Sequence, residues 1–186
     1  MRILLLSLMS VVSFAGNTGL LAWGSLYADS KADNLATSST NRYYGIGVRV
    51  PLTLLFGSAL EFGYSKLPDQ KWQKVGTTLD FTSRARYTIN SLYALSDDMS
   101  LFFGADYNKQ SQSCGDGCVI KQNTGRYNAH IGFDYLLPVF AHVDSGLRLI
   151  YSLRDSQEYC YADNCGETSK ITSKKYELQL LVSTSL

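Results

Sequence analysis

The segment RYNAHIGFDYLL, residues 126–137, places three side chains capable of proton chemistry on one side of an alternating pattern. Arg126, His130 and Asp134 are spaced four residues apart, so in an extended strand all three point the same way. A histidine beside a carboxylate can act as a general base or activate a nucleophile. The pattern therefore raises two questions: which side of the strand meets water, and whether His130 has the partners that catalysis needs.

Catalysis by His130 would need a nucleophile within hydrogen-bond reach and a third group that orients the base. The residue two positions after His130 is Gly132, and the other histidine, His142, is followed two positions later by Asp144. Neither histidine has a serine or cysteine at that spacing, and no catalytic trio can be named. We therefore interpret His130 as a structural residue satisfied within a polar interior, and expect no enzymatic activity.

The composition favours one β-rich domain. The chain has 186 residues, with 13 Tyr and 15 Gly but only 3 Pro, a bias toward residues that suit strands. Lys plus Arg number 17 and Asp plus Glu number 16, so no strong net charge points to a nucleic-acid partner. No cofactor is expected.

The first fifteen residues, MRILLLSLMSVVSFA, have the features of a secretory signal peptide. Arg2 precedes an apolar run, and Ser13 and Ala15 are small residues at the positions that a signal peptidase reads. A membrane anchor is the alternative, but the run is too short to span a bilayer as a helix. We predict a signal peptide at 1–15 and one folded domain at 16–186.

Eight alternating segments follow, each long enough to cross a bilayer as a tilted strand of about 9–11 residues. They lie at 19–28, 41–50, 55–66, 77–94, 99–108, 123–137, 140–154 and 171–186. Long polar links (29–40, 67–76, 109–122, 155–170) alternate with short ones (51–54, 96–99, 138–139). Long loops at one end and short turns at the other are typical of an outer-membrane barrel with both termini in the periplasm.

The two faces of these segments differ in polarity. One face is apolar, with tyrosines near the strand ends, as a lipid-facing surface requires. A secreted lipocalin, the main alternative, would instead line its interior with apolar side chains. In the first segment, which is apolar on both faces, Trp23 and Tyr27 are expected to face lipid.

The other face carries charges of both signs, which must pair inside a closed barrel because an arginine facing mid-bilayer lipid costs about 2–4 kcal/mol. Glycines on the same face, such as Gly45, Gly63 and Gly132, would leave room for the long arginine side chains. We predict that the lumen holds a charge network of Arg49, Glu61, Arg84, Arg86, Asp106, Arg126, His130, Asp134, Arg148, Lys175 and Glu177.

Four cysteines form two short pairs, Cys114 with Cys118 and Cys160 with Cys165, both in predicted long loops. Outside the cytosol such pairs favour disulfides. Zinc sites are the alternative, although they prefer the tighter C-x-x-C spacing. Whether each pair closes on itself or across to the other stays open.

The pattern resembles the small eight-stranded outer-membrane barrels of Gram-negative bacteria, the OmpA/OmpX-like class. The last segment, YELQLLVSTSL, has Tyr176, Leu178, Leu180 and Val182 in the phase of the closing strand of this class, but Leu186 stands where a terminal Phe is usual. The resemblance implies an all-β, eight-stranded antiparallel transmembrane barrel with up-and-down order. It also implies insertion by the outer-membrane assembly machinery and contact with outer-membrane lipids and lipopolysaccharide.

An interior of eight strands is only wide enough for side chains, so we expect a plugged lumen and a structural or surface-interaction role. The long loops are then the part that could meet an extracellular ligand. A narrow porin-like channel is the first alternative. The second is a lipid A-modifying enzyme, because some barrels of this size are lipid A deacylases. That family places a His, a Ser two residues later and a Glu on the outer wall, and Gly132 departs from this arrangement.

Overall fold

The structure is a computed structural model. It describes residues 18–27, 31–32, 36–37, 42–52, 57–74, 77–114, 125–153, 156–160, 168–172 and 176–185. The predicted signal peptide, Cys118, Cys165 and Lys175 lie outside these ranges. So do the side chains of Arg126, Cys114 and Cys160, whose backbones alone are described.

Eight long strands close into one antiparallel barrel. They are β1 (Gly19–Tyr27), β2 (Tyr44–Pro51), β3 (Ser58–Lys66), β4 (Thr77–Ala94), β5 (Met99–Cys114), β6 (Gly125–Phe140), β7 (Val143–Ser152) and β8 (Tyr176–Ser185). Each strand pairs with the next along the chain, and β8 pairs back with β1, so the eight strands form a closed barrel. The predicted eight-stranded up-and-down barrel is confirmed.

The connections separate by length, as the sequence predicted. At one end, here the short-turn end, lie the links 52–57, 95–98 and 141–142, beside Gly19 and Ser185, which pair with each other. The opposite end, the long-loop end, carries the long links and five short strands. These are Lys31–Ala32, Ala36–Thr37, Gln70–Lys74, Ser156–Cys160 and Thr168–Thr172.

The β4–β5 hairpin reaches beyond the barrel wall at the long-loop end. β4 has 18 residues and β5 has 16, whereas a transmembrane strand needs about 9–11. The pairing continues outward to Leu79 and Cys114, past a bulge at Ser83 with φ 52°. Strand Gln70–Lys74 extends the same sheet.

The predicted short link at 138–139 is wrong. β6 continues through Pro138 to Phe140, and the turn is Ala141–His142, with His142 at φ 67°. A register shift between Val143 and Asp144 places Val139 in a bulge next to Pro138. Proline, which has no N–H to donate, is tolerated in a strand beside a bulge, so it does not end β6.

The outer wall is apolar and the inner face is largely polar. Large apolar side chains are exposed on every barrel strand, among them Tyr44, Ile46, Phe103 and Leu147. In the described part of the chain, no helix is long and apolar enough to cross a membrane. An exposed apolar band around a closed sheet is the surface that a bilayer requires of a spanning barrel.

Candidate functional site

The lumen is filled by side chains from all eight strands. At its centre Arg148 of β7, 2% exposed, lies between two carboxylates. Its Nη1 and Nη2 donate to Glu61 at 2.6 and 2.7 Å. Its Nε and Nη2 donate to Asp134 at 2.7 and 2.8 Å. Two bidentate, charge-assisted contacts on one guanidinium fix β3, β6 and β7 relative to one another.

Arg49 of β2 supplies the second cation of this cluster. Its Nη2 lies 3.1 Å from both Glu61 Oε2 and Asp134 Oδ2. The charges therefore balance, two arginines against two carboxylates. Buried ions need such partners because their loss of hydration costs several kcal/mol each.

A chain of hydrogen bonds leads from this cluster to His130. Asn90 Nδ2 donates to Glu61 Oε1 at 2.9 Å, and Asn90 Oδ1 lies 2.7 Å from His130 Nε2. Because the Asn90 oxygen accepts, His130 Nε2 must be the donor. On its other side, His130 Nδ1 is 3.3 Å from Asp106 Oδ2. Both ring nitrogens therefore face lumen residues.

A second cluster occupies the half of the lumen nearer the long loops. Arg86 of β4 donates to Tyr43 OH at 2.8 Å, to Glu177 at 3.2 Å and to Asn108 at 3.3 Å. Gln179 Nε2 donates to Tyr43 OH at 2.9 Å and to Glu177 at 2.6 Å. Asn108 also donates to Asp106 at 2.5 Å, and this contact joins the two clusters.

The result is one connected set of polar side chains that runs through the lumen, here called the lumen network. Of the predicted network residues it contains Arg49, Glu61, Arg86, Asp106, His130, Asp134, Arg148 and Glu177. Arg84 lies beside the Ser83 bulge at the long-loop end, where its Nη1 donates to the Pro68 carbonyl at 2.8 Å. Tyr43, Asn90, Asn108 and Gln179 link the charges through hydrogen bonds.

Apolar side chains also fill the lumen, and Trp23 is one of them. The expectation that Trp23 faces lipid is wrong: it is 6% exposed and its Nε1 donates to Ser65 Oγ at 3.0 Å inside the barrel. Tyr27, 57% exposed, does point outward. The register shift between Ser25 and Tyr27 explains why Trp23 and Tyr27 lie on opposite faces despite their even spacing.

The inward glycines make room for rings and amides rather than for arginines. A Cβ at Gly45, Gly47 or Gly63 would press on the Trp23 indole. One at Gly132 would meet the ring of Phe102, and one at Gly104 would meet Asn90 and His130. Phe102 is in turn fully buried, with Arg148 Cζ 4.7 Å from its ring centroid.

Gly132→Ala should lower the free energy of unfolding by about 1–3 kcal/mol, the usual cost of overpacking a filled interior. The added methyl group would overlap the Phe102 ring and the Leu149 carbonyl. Gly24→Ala is the matched control, since nothing lies within 4 Å of a Cβ there. Urea unfolding in detergent compares the two, and equal stability of both variants would contradict this packing role.

A small cavity lies between these side chains. A cavity of about 20 Å³ is lined by Trp23, Glu61, Arg86, His130 and their neighbours, and one water needs about 10–15 Å³. In the described residues, no group of three or more His, Cys, Asp or Glu side chains is placed to hold a metal ion. The cavity beside Trp23 and His130 therefore has room for one or two waters.

The closed sheet, its apolar wall and its polar interior define the fold of a small eight-stranded transmembrane β-barrel. A solved structure similar to this chain is that of the outer membrane protein OprG from Pseudomonas aeruginosa, with a TM-score of 0.57 and 10% sequence identity. The match covers 91% of this chain and 96% of that one. No protein-family model matches the sequence, and no curated protein matches it.

Proposed function

We propose that the protein is an integral outer-membrane barrel with a plugged lumen, whose long loops carry a structural or surface-interaction role. The observation that carries this proposal is the Arg148 cluster, where Arg49 and Arg148 hold Glu61 and Asp134 across the centre of the barrel. The apolar wall and the likeness to OprG support the outer membrane as its location.

An enzymatic role has less support than a structural one. A lipid-modifying site must present its base to lipid on the outer wall, whereas His130 is 3% exposed and turned into the lumen. Its ring nitrogens face Asn90 and Asp106. In the described residues this imidazole therefore faces the lumen and not the lipid.

Loop-mediated interaction is favoured by the sheet that projects past the barrel. The β4–β5 hairpin and strand Gln70–Lys74 form one continuous sheet at the long-loop end. Loops on a rigid scaffold are where binding residues concentrate. An extracellular ligand would therefore meet this sheet and the loops around it, and disulfides formed by the four cysteines would stiffen these loops.

The first test is refolding of the chain without residues 1–15 in detergent, followed by gel mobility with and without boiling and by planar-bilayer recording. We expect a heat-modifiable band and no steady conductance, because the paired side chains of Arg49, Glu61, Asp134 and Arg148 cross the centre of the barrel. A triple variant, Arg49→Ala, Arg148→Ala and Trp23→Ala, serves as a positive control, because it removes three large side chains from the lumen. Reproducible channels from the unmodified chain would contradict the plug and favour the narrow-channel alternative.

A further inference from the structure

Three rows of outward side chains cross β3, β4 and β5 in register near the long-loop end. The uppermost row is Lys66, Ala85 and Lys109. Directly below it, Tyr64, Tyr87, Tyr107 and Tyr127 form a continuous row that extends to β6. Below the tyrosines lie Phe62, Ile89, Ala105 and Ala129. The wall thus changes from cationic to phenolic to apolar within a few residues.

The two lysines frame a small gap. Lys66 and Lys109 are both exposed, and the only residue between them in the row is Ala85. Since neighbouring strands lie about 4.7–4.9 Å apart, the two lysine backbones are separated by roughly 10 Å. Two ammonium groups at this spacing can each contact a separate phosphate as point charges.

The tyrosines below form a packed aromatic row. Tyr64 and Tyr87 have ring centroids 5.5 Å apart, Tyr87 and Tyr107 6.4 Å, and Tyr107 and Tyr127 4.8 Å. Tyrosines of this kind mark the headgroup level of a membrane. Lys66 and Lys109 therefore stand at the height of lipid phosphates.

A shallow depression continues downward from the tyrosines. Ala105 and Ala129 are direct cross-strand partners, with Tyr107 and Tyr127 above them and Phe103 and Ile131 below. Methyl side chains between larger ones leave a recess in the wall about two strands wide. An acyl chain is the apolar partner that such a recess in a lipid-facing surface accommodates.

We propose that this face binds a lipid with two phosphates on its headgroup: Lys66 and Lys109 contact the phosphates, and the Ala105–Ala129 recess receives an acyl chain. The inference rests on the membrane location proposed above and names a partner for the outer wall. The positive charges of Lys66 and Lys109 favour an anionic headgroup. Because each lysine can contact its own phosphate, a headgroup with two phosphates is favoured over a headgroup with one.

The test measures binding of the refolded full barrel to phosphatidylcholine vesicles that contain either diphosphoryl or monophosphoryl lipid A. Native mass spectrometry of the protein released from these vesicles counts the bound lipids. Because each basic residue near an anionic surface contributes about 1 kcal/mol, Lys66→Gln and Lys109→Gln should each weaken diphosphoryl binding roughly fivefold. The double variant should no longer distinguish the two lipids.

Lys71→Gln is the matched control, an exposed lysine on strand Gln70–Lys74 that lies outside the row. It should leave binding unchanged, whereas Ala105→Leu with Ala129→Leu should weaken it without a change in charge. Equal loss from Lys71→Gln, or equal binding of both lipids by the unmodified barrel, would overturn the site. If the barrel still gives a heat-modifiable band when either result is found, the lipid site is overturned and the membrane location is not. A chain that does not insert into vesicles overturns the membrane location as well.

Discussion

Replacement of Arg148 by methionine should lower the free energy of unfolding by about 3–5 kcal/mol, the cost of removing one partner from a buried ion cluster. Methionine retains part of the side-chain volume, so the loss reports mainly on charge. Glu61 and Asp134, each about 1% exposed at the side chain, would be left with Arg49 alone. Urea titration of the barrel in detergent, followed by gel mobility, measures the change.

Arg49→Met is the matched comparison for Arg148→Met. Arg49 reaches both carboxylates through one nitrogen at 3.1 Å, while Arg148 makes four contacts between 2.6 and 2.8 Å. Arg49→Met should therefore cost clearly less than Arg148→Met. A double-mutant cycle of Arg148→Met with Glu61→Gln should give a coupling energy of about 0.5–3 kcal/mol. Equal costs for the two arginines, or no coupling, would show that the central cluster does not hold the lumen together.

The barrel itself could be predicted because the face of each residue follows from the alternation of its neighbours in the sequence. Alternation with a period of two residues assigns each side chain to a face, and a polar inward face beside an apolar outward one excludes a soluble sandwich. His130 and Asp134 were assigned to the interior on this basis alone, and both are buried. Loop lengths then give the meander order.

The pairing inside the lumen could not be predicted, because it depends on strand register. Glu61 and Arg148 are 87 residues apart in the chain and meet across the barrel. A shift of any one strand by two residues would keep every face assignment but change the partners of that strand. Alternation places Asn90 on the inward face, but its hydrogen bonds to Glu61 and His130 depend on register in the same way.

The turn at Ala141–His142, which the sequence placed at 138–139, could not be predicted for a different reason. Pro138 reads as a breaker, yet the bulge at Val139 lets β6 pass through it. Whether a strand tolerates proline depends on the partner strand, and this information lies in β7 rather than in the residues around Pro138.

Two substitutions of Trp23 test whether its indole lies inside the lumen. Trp23→Ala should lower the free energy of unfolding by about 3–5 kcal/mol, since it leaves a cavity where the indole filled the lumen. Trp23→Phe keeps most of the ring and should cost far less, mainly the hydrogen bond to Ser65 at about 1 kcal/mol. If the indole faced lipid, Trp23→Ala would leave no cavity and the two variants would differ little.

The strongest form of this test uses Gly63, whose added Cβ would lie against the indole, with Thr88 next at 3.6 Å. Gly63→Ala should destabilise the unmodified barrel, because the rigid ring and the strand backbones leave no room for the methyl group. In the Trp23→Ala background the same methyl group enters the cavity, so Gly63→Ala should become neutral or stabilising. The change of sign follows only if Trp23 and Gly63 meet inside the lumen. An equal effect in both backgrounds would mean that the glycines of β2 and β3 are not there to accommodate the tryptophan.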